Sequence, residues 1–163
     1  MVITSGGVSV GEADFVKDLL GKLGEVVFWK IAMKPGRPLA YGKVGSAHFF
    51  GLPGNPVSVM VTFYQFVRDA LLTIMGADPV QPIPTFTARC GAKIKKVPGR
   101  TEFQRGILTQ DTDGSLVVRP TGEQGSGILK SMSEANCFII LGDDTGNVEP
   151  GAMVEVQLLE GIV

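Results

Sequence analysis

Apolar residues along the first 80 positions alternate between short runs and longer stripes of helical spacing. The short runs predict strands at 2–3, 26–33, 39–44 and 48–51. Helical spacing predicts one helix over 13–23 and a second over 56–75, each followed by a glycine that ends it. The second helix is expected to turn six residues toward the core: Met60, Val61, Tyr64, Val67, Leu71 and Ile74. Strands that alternate with helices are typical of a parallel α/β sheet.

The pattern changes near residue 80. Residues 78–84 are rich in proline and predict a linker. Beyond it no helical period persists, and turn signals separate candidate strands at 84–95, 101–109, 115–120, 137–141 and 152–158. This spacing indicates a small all-β barrel or sandwich. We therefore expect an α/β domain in residues 1–80 and a β domain in residues 81–163.

Composition narrows the class of protein. The chain has 163 residues, of which 44% are hydrophobic and 19% charged, so it can bury a core. A net charge of −1 provides no long-range field that would favour nucleic acid or a membrane. Gln65, Arg68 and Asp69 interrupt the apolar helix, which argues against a membrane span. No signal peptide is visible, so we expect a cytoplasmic protein.

The first candidate loop follows the strand at 2–3 and precedes the helix at 13–23. Glycines let a backbone approach an anion closely, and amides at a helix start point toward it. The candidate anion-binding residues are Ser5, Gly6, Gly7, Ser9 and Gly11. Glu12 and Asp14 lie beside them, and two carboxylates would repel an anion unless a cation or a proton joins them. The alternative is an ordinary glycine-rich turn with helix-start charges that the dipole favours.

The second candidate element contains three cations, Lys30, Lys34 and Arg37. Lys30 lies in an otherwise apolar strand, and a lysine there must reach an edge or meet an anion, because desolvating it unpaired is costly. Two prolines hold the following turn rigid. The three side chains could therefore clamp an oxyanion. A solvated turn is the alternative.

The third candidate element joins the strand at 48–51 to the second helix. Asn55 is expected to cap the helix with its side chain, and Pro56 suits the first helical position. The candidate binding residues are Pro53, Gly54, Asn55, Pro56 and Ser58. Two such loops at the ends of neighbouring parallel strands would converge on one crevice, where open α/β sheets bind ligands. Helix capping without a ligand is the alternative.

Other residues indicate less chemistry. His48 has no metal-ligand spacing around it and is interpreted as structural. Cys90 and Cys137 are expected to be free thiols. Residues 98–106 mix two arginines with a carboxylate and are interpreted as an internally paired hairpin. Residues 121–127 are interpreted as a flexible surface loop that could cover a site.

The ordered set of motifs resembles the MoeA family, which includes the E domain of gephyrin. The resemblance is carried by four segments in the first half, at 5–14, 28–30, 34–38 and 51–58, and by 98–100, 103–106 and 136–138 in the second. It implies part of a MogA-like molybdopterin-binding α/β domain followed by a small β-barrel. Family members have further domains before the point where this chain starts, so the chain is expected to be a C-terminal fragment.

The resemblance also implies a function. Members of the family insert molybdate into the dithiolene of adenylylated molybdopterin with release of AMP, and Mg²⁺ is the usual cation. By position, Asp14, Lys30 and Lys34 correspond to catalytic residues, and Pro53 and Pro56 to a proline loop. Asp14, with Glu12, would hold the Mg²⁺ ion.

The expected partners are small-molecule substrates and, in the full-length protein, a second copy in a homodimer. A MogA-like partner is a further expectation. The rival function is a non-catalytic molybdopterin-binding or scaffold module, since the E domain of gephyrin also anchors a partner peptide. A MogA-like adenylyltransferase is a third reading, but it is not expected to carry the β domain.

Overall fold

A computed structural model of the chain describes residues 1–7, 21–22 and 24–159. The chain divides into two compact units, Met1–Ile31 with Pro35–Val80 and Ala32–Lys34 with Gln81–Val163. The predicted helix at 13–23 lies almost wholly outside the described residues, of which only 21–22 fall within it and are helical.

The first unit contains a four-stranded sheet with the order β1-β5-β4-β2. Its strands are β1 (Val2–Ser5), β2 (Gly24–Lys30), β4 (Pro38–Val44) and β5 (Ala47–Leu52). Strands β1 and β5 are parallel, whereas β4 is antiparallel to both β5 and β2. The expectation of a wholly parallel sheet is therefore wrong. Only two residues, Gly45 with φ 59° and Ser46, join β4 to β5, and so short a connection joins only antiparallel strands.

The strand predicted over 26–33 is two strands in the structure. Strand β2 ends at Lys30, and Ile31 donates its N–H to the Arg37 carbonyl at 2.8 Å. The short strand β3 (Met33–Lys34) pairs in parallel with a strand of the second unit. An apolar run cannot reveal such a break, because both halves are extended and both have hydrophobic residues.

The second helix of the first unit has a π-helical middle. It comprises α1 (Pro56–Thr62), a π-helical turn (Phe63–Val67) and α2 (Arg68–Ile74). Val57, Val61 and Val67 are fully buried. Met60 and Ile74 are exposed, so their placement in the core was wrong. Met60 lies at the margin of the stripe that the valines form, and the wider π turn rotates the residues after it.

The same helix is the longest apolar segment of the described chain. Over Pro56–Ile74 its 19 residues are long and apolar enough to cross a membrane by length and composition alone. One such helix is weak evidence, because core helices of soluble proteins pass the same test. In this structure, Leu39, Phe50, Leu52 and Val67 form a buried cluster between the helix and the sheet.

The second unit is built on a closed five-stranded β-barrel, as expected from its short strands. The strands are β6 (Thr85–Cys90), β7 (Thr101–Gln110), β8 (Leu116–Pro120), β9 (Cys137–Leu141) and β10 (Met153–Leu158). They are ordered β7-β8-β6-β10-β9, and pairing of β7 with β9 closes the barrel. Strand β3 pairs with β7 but is not one of the five barrel strands. Helix α3 (Leu129–Glu134) was not expected, because six residues are too few to show a helical period.

The barrel interior leaves no room for a side chain at Gly106. A Cβ atom built there would lie 2.8 Å from Ile139 Cγ1 and 3.0 Å from Val118 Cγ2, and both residues are fully buried. We therefore expect Gly106→Ala to lower the free energy of unfolding by about 2 kcal/mol, because an added methyl group overpacks the core. Urea denaturation measures the change.

Gly146→Ala is the matched control, since a Cβ atom there would meet nothing within 4 Å. It should change the free energy of unfolding by less than about 0.5 kcal/mol. Equal stability of the two variants would contradict the packing of the barrel described above.

Both cysteines are free, as expected, and the structure buries both. Burial raises the pKa of the Cys137 thiol to about 11. The thiol is therefore protonated at neutral pH and a poor nucleophile, which argues against thiol chemistry at this position.

Candidate functional site

The first and third predicted loops meet at the carboxyl ends of two parallel strands. Ser5 and Leu52 are register partners in β1 and β5, and Gly6 donates its N–H to the Leu52 carbonyl at 3.0 Å. A Cβ atom built on Gly54 would lie 3.4 Å from Gly6 Cα, so the two backbones are in close contact. Gly6 has φ 86°, a conformation that a residue with a side chain rarely adopts. The predicted convergence of these loops is present in the structure.

Lys30 and Arg37 lie at the end of this sheet where the two loops meet. Lys30, at the end of β2, is the register partner of Pro38, at the start of β4. Two residues further along β4, Ala40 is the partner of Gly51, which lies near the end of β5 just before the proline loop. Both cationic residues are exposed. The end of the sheet at which the two loops follow β1 and β5 therefore also carries two exposed cationic residues on β2 and just before β4, and such charges suit an oxyanion.

The proline loop differs from the expectation at Asn55. Its backbone carbonyl accepts the Val59 N–H at 2.9 Å, but its side chain makes no capping hydrogen bond. Asn55 Oδ1 is buried without a hydrogen-bond partner. The prediction of a side-chain cap was therefore wrong. Pro56 has no N–H and so removes one free donor of the first turn, and the Asn55 carbonyl makes the first regular hydrogen bond of the helix.

The other loop residues are distributed as follows. Pro53 and Ser58 are buried, Gly54 and Pro56 are exposed, and Gly7 is half-buried with φ 72°. Ser58 contributes its carbonyl to the Thr62 hydroxyl at 2.8 Å. Ser9, Gly11, Glu12 and Asp14 lie outside the described residues, so their predicted roles stay predictions.

Lys34 belongs to the second unit rather than the first. Its ammonium lies 3.3 Å from Glu102 Oε1, and its side chain is 51% exposed whereas that of Glu102 is 6% exposed. Gln104 Nε2 donates to Glu102 Oε2 at 3.0 Å and to the Lys95 carbonyl at 3.2 Å. Of the three predicted cations, Lys30 and Arg37 therefore belong to the first unit, and Lys34 pairs with Glu102 within the second.

Arg105 is a buried cation that sequence reasoning did not single out. It is 1% exposed, and no described carboxylate pairs with it. Its guanidinium donates to Ser131 Oγ at 3.0 Å and to the carbonyls of Gly125 at 3.0 Å and Glu123 at 3.4 Å. Desolvation lowers the pKa of Arg105. The interpretation of residues 98–106 as an internally paired hairpin was wrong, because Glu102 pairs with Lys34 and Arg105 binds the following loop.

The segment 121–127 is correspondingly more ordered than a flexible surface loop. Besides the guanidinium contacts, Gln124 Oε1 accepts the Arg105 backbone N–H at 2.8 Å. The loop and helix α3 together line a cavity of about 250 Å³. Its lining residues are Thr121, Gly122, Glu123, Ile128, Lys130, Ser131 and Glu134.

Two family profiles match consecutive parts of the chain. The profile of the "Probable molybdopterin binding domain" matches residues 1–73, and that of the "MoeA C-terminal region (domain IV)" matches residues 87–159. The chain is 48% identical over 157 residues to the molybdopterin molybdenumtransferase of Haemophilus influenzae, which covers 96% of this chain. The chain belongs to the MoeA family.

Other relatives of this MoeA-family chain agree with that assignment. Gephyrin of Dictyostelium discoideum is 34% identical, covering 98% of this chain and 25% of gephyrin. A solved molybdopterin biosynthesis MoeA protein from Pyrococcus horikosii has a TM-score of 0.77 and 31% identity over 99% of the chain and 37% of the Pyrococcus chain. The MoeA-family chain spans 39% of the length of the Haemophilus relative.

The described part of this MoeA-family chain forms no metal centre. Among residues 1–7, 21–22 and 24–159, no group of three or more His, Cys, Asp or Glu side chains could hold a metal ion. A Mg²⁺ ion prefers carboxylate oxygens and water. The predicted ligands Glu12 and Asp14 are of that type but lie outside the described residues, so no chemical step is assigned to the ion.

His48 makes a side-chain contact expected of a structural histidine. The Tyr41 hydroxyl lies 3.1 Å from His48 Nδ1, and the two rings are stacked at 6.1 Å. Both residues line a cavity of about 170 Å³ beside Phe50 and Ile74. His48 is the second residue of β5, whereas the proline loop follows the other end of that strand.

Proposed function

We propose that this MoeA-family chain takes part in molybdenum cofactor biosynthesis, in the insertion of molybdate into adenylylated molybdopterin with release of AMP. The observation that supports it most is the contact between Gly6 and Gly54 at the ends of parallel strands. Open α/β sheets bind ligands at such strand ends, and glycine backbones admit phosphate oxygens closely. The name of the Haemophilus relative, a molybdopterin molybdenumtransferase, supports the same reaction.

The predicted residues would have distinct roles in this reaction. The glycine-rich and proline loops would bind the phosphates of the adenylylated pterin, and Lys30 and Arg37 would neutralise their charge. Lys34 would bind an oxyanion oxygen through its half-exposed ammonium. Asp14, with Glu12, would hold Mg²⁺ or position water for attack on the pyrophosphate.

We also propose the wider context of the reaction. Residues 1–80 would form the C-terminal part of the molybdopterin-binding α/β domain and residues 81–163 a β-barrel domain. The full-length protein would be a cytoplasmic homodimer with a MogA-like partner that supplies the adenylylated pterin. A non-catalytic binding or scaffold role is not favoured, because several curated relatives carry the transferase name.

Molybdate-dependent release of AMP from adenylylated molybdopterin tests the proposed reaction. The full-length protein is incubated with the adenylylated pterin, with and without molybdate, and AMP is quantified by chromatography. Release that requires molybdate supports the transferase. Tight binding of the pterin without AMP release would support the binding module instead, and the absence of both would contradict the proposal.

Lys34→Ala is expected to weaken binding of molybdate by about tenfold, because one charge-assisted contact is lost. Isothermal titration with molybdate at low ionic strength measures the change. Lys95→Ala is the control, since it removes an exposed lysine of the same unit whose carbonyl contact to Gln104 uses only the backbone. Equal affinity of the two variants would show that Lys34 does not bind the oxyanion.

A further inference from the structure

Glu102 is a carboxylate on the inner face of a hydrophobic barrel. In the antiparallel pair of β7 and β9, Glu102 is opposite Leu141, Gln104 opposite Ile139 and Gly106 opposite Cys137. Register partners point to the same face of a sheet, and these three residues of β9 belong to the buried core. Glu102 is 5% exposed. A carboxylate in such surroundings is costly unless it is paired and hydrogen-bonded.

Two side chains compensate this cost, one for each oxygen. Lys34 Nζ lies 3.3 Å from Oε1, and Gln104 Nε2 donates to Oε2 at 3.0 Å. Gln104 is itself held, because the same Nε2 donates to the Lys95 carbonyl at 3.2 Å. The carboxylate is therefore fixed from one side by a buried amide and carries its negative charge toward Lys34.

The backbone places Lys34 in register for this contact. Strand β3 pairs in parallel with β7, with Lys34 opposite Glu102. An ammonium has three N–H donors, and Glu102 is its only hydrogen-bond partner among the described residues. With the side chain 51% exposed, the remaining donors are open to solvent. One end of the contact is rigid and buried, and the other can reach a ligand.

We propose that Glu102 is a positioning residue that holds the Lys34 ammonium for an oxyanion, and that Gln104 fixes the Glu102 carboxylate. The inference rests on the proposed role of Lys34 as an oxyanion ligand. A free lysine loses rotamer freedom when it binds, and a lysine already held in place loses less. Glu102 therefore increases oxyanion affinity through the geometry of Lys34, without touching the anion.

Glu102→Asp separates geometry from charge, because aspartate keeps the negative charge and shortens the side chain by one methylene. We expect molybdate affinity to fall about three- to tenfold, the range for immobilising one long side chain. Gln104→Met is the second variant. It removes the amide that fixes Glu102 and puts an apolar side chain of similar length in its place inside the barrel. It should weaken molybdate binding, as Glu102→Asp does.

Double-mutant cycles with Lys34→Ala distinguish positioning from a general structural role. If Glu102 acts through Lys34, Glu102→Asp and Gln104→Met have no further effect on molybdate affinity in the Lys34→Ala background. Equal weakening in both backgrounds would overturn the inference. So would unchanged affinity of Glu102→Asp and Gln104→Met while Lys34→Ala alone weakens binding. If Lys34→Ala itself has no effect, the proposed role of Lys34 fails and the inference fails with it.

Discussion

Replacing Arg105 by methionine is expected to lower the free energy of unfolding by about 3 kcal/mol. The variant keeps a long unbranched side chain but leaves the carbonyls of Glu123 and Gly125 without their donor. Ser131 Oγ also loses the Arg105 Nε donor. Relief of the desolvation that lowers the arginine pKa offsets part of this loss, since methionine carries no charge to bury. Urea denaturation of the variant measures the net effect.

Arg100→Ala is the control for this experiment, because Arg100 is exposed and precedes the same strand. Its free energy of unfolding should differ from that of the unaltered chain by less than about 0.5 kcal/mol. Unfolding of Arg105→Met at the same urea concentration as Arg100→Ala would show that the guanidinium contacts do not stabilise the loop at 121–127.

In the full-length protein, replacing Asp14 by asparagine is expected to reduce molybdate-dependent AMP release by at least about a hundredfold, the lower range for losing a general acid or base. The amide keeps the shape of the side chain and removes the charge that the proposed function requires. Folding should be intact, so the circular dichroism spectrum and the melting temperature are measured beside the rate of AMP release.

Asp18→Asn is the matched control, since Asp18 lies one turn later in the predicted helix at 13–23 and farther from the glycine-rich loop. Its rate should stay close to that of the unaltered chain. If Asp14→Asn turns over at the same rate as Asp18→Asn, the carboxylate of Asp14 has no part in the reaction.

The features that could be predicted from the sequence depend on local signals. Glycine and proline near positions 6 and 54 mark loops at strand ends, and parallel pairing of β1 with β5 brings those loops together. The five barrel strands were also predictable, because each is bounded by turn residues and its apolar positions alternate or are continuous. In both cases the signal lies within about ten residues of the feature.

The features that could not be predicted depend on contacts between distant residues. Lys34 and Glu102 are 68 positions apart, and Arg105 and Ser131 are 26 apart. Neither pair leaves a periodic signal in the sequence, and residue type alone does not show whether an arginine is buried or exposed. Asn55 also departs from the prediction: its residue type suits a helix cap, but its side-chain oxygen is buried without a hydrogen-bond partner and caps no N–H group.

Strand β3 has a consequence for dissecting the chain into pieces. Residues 32–34 precede most of the first unit in sequence, yet they belong to the barrel unit and complete the outer side of β7. A barrel expressed from residue 81 onward would have an unpaired strand edge and a carboxylate at Glu102 stripped of its counter-charge. Such a piece should aggregate, and supplying a short peptide that contains Met33 and Lys34 would be the natural way to complement it.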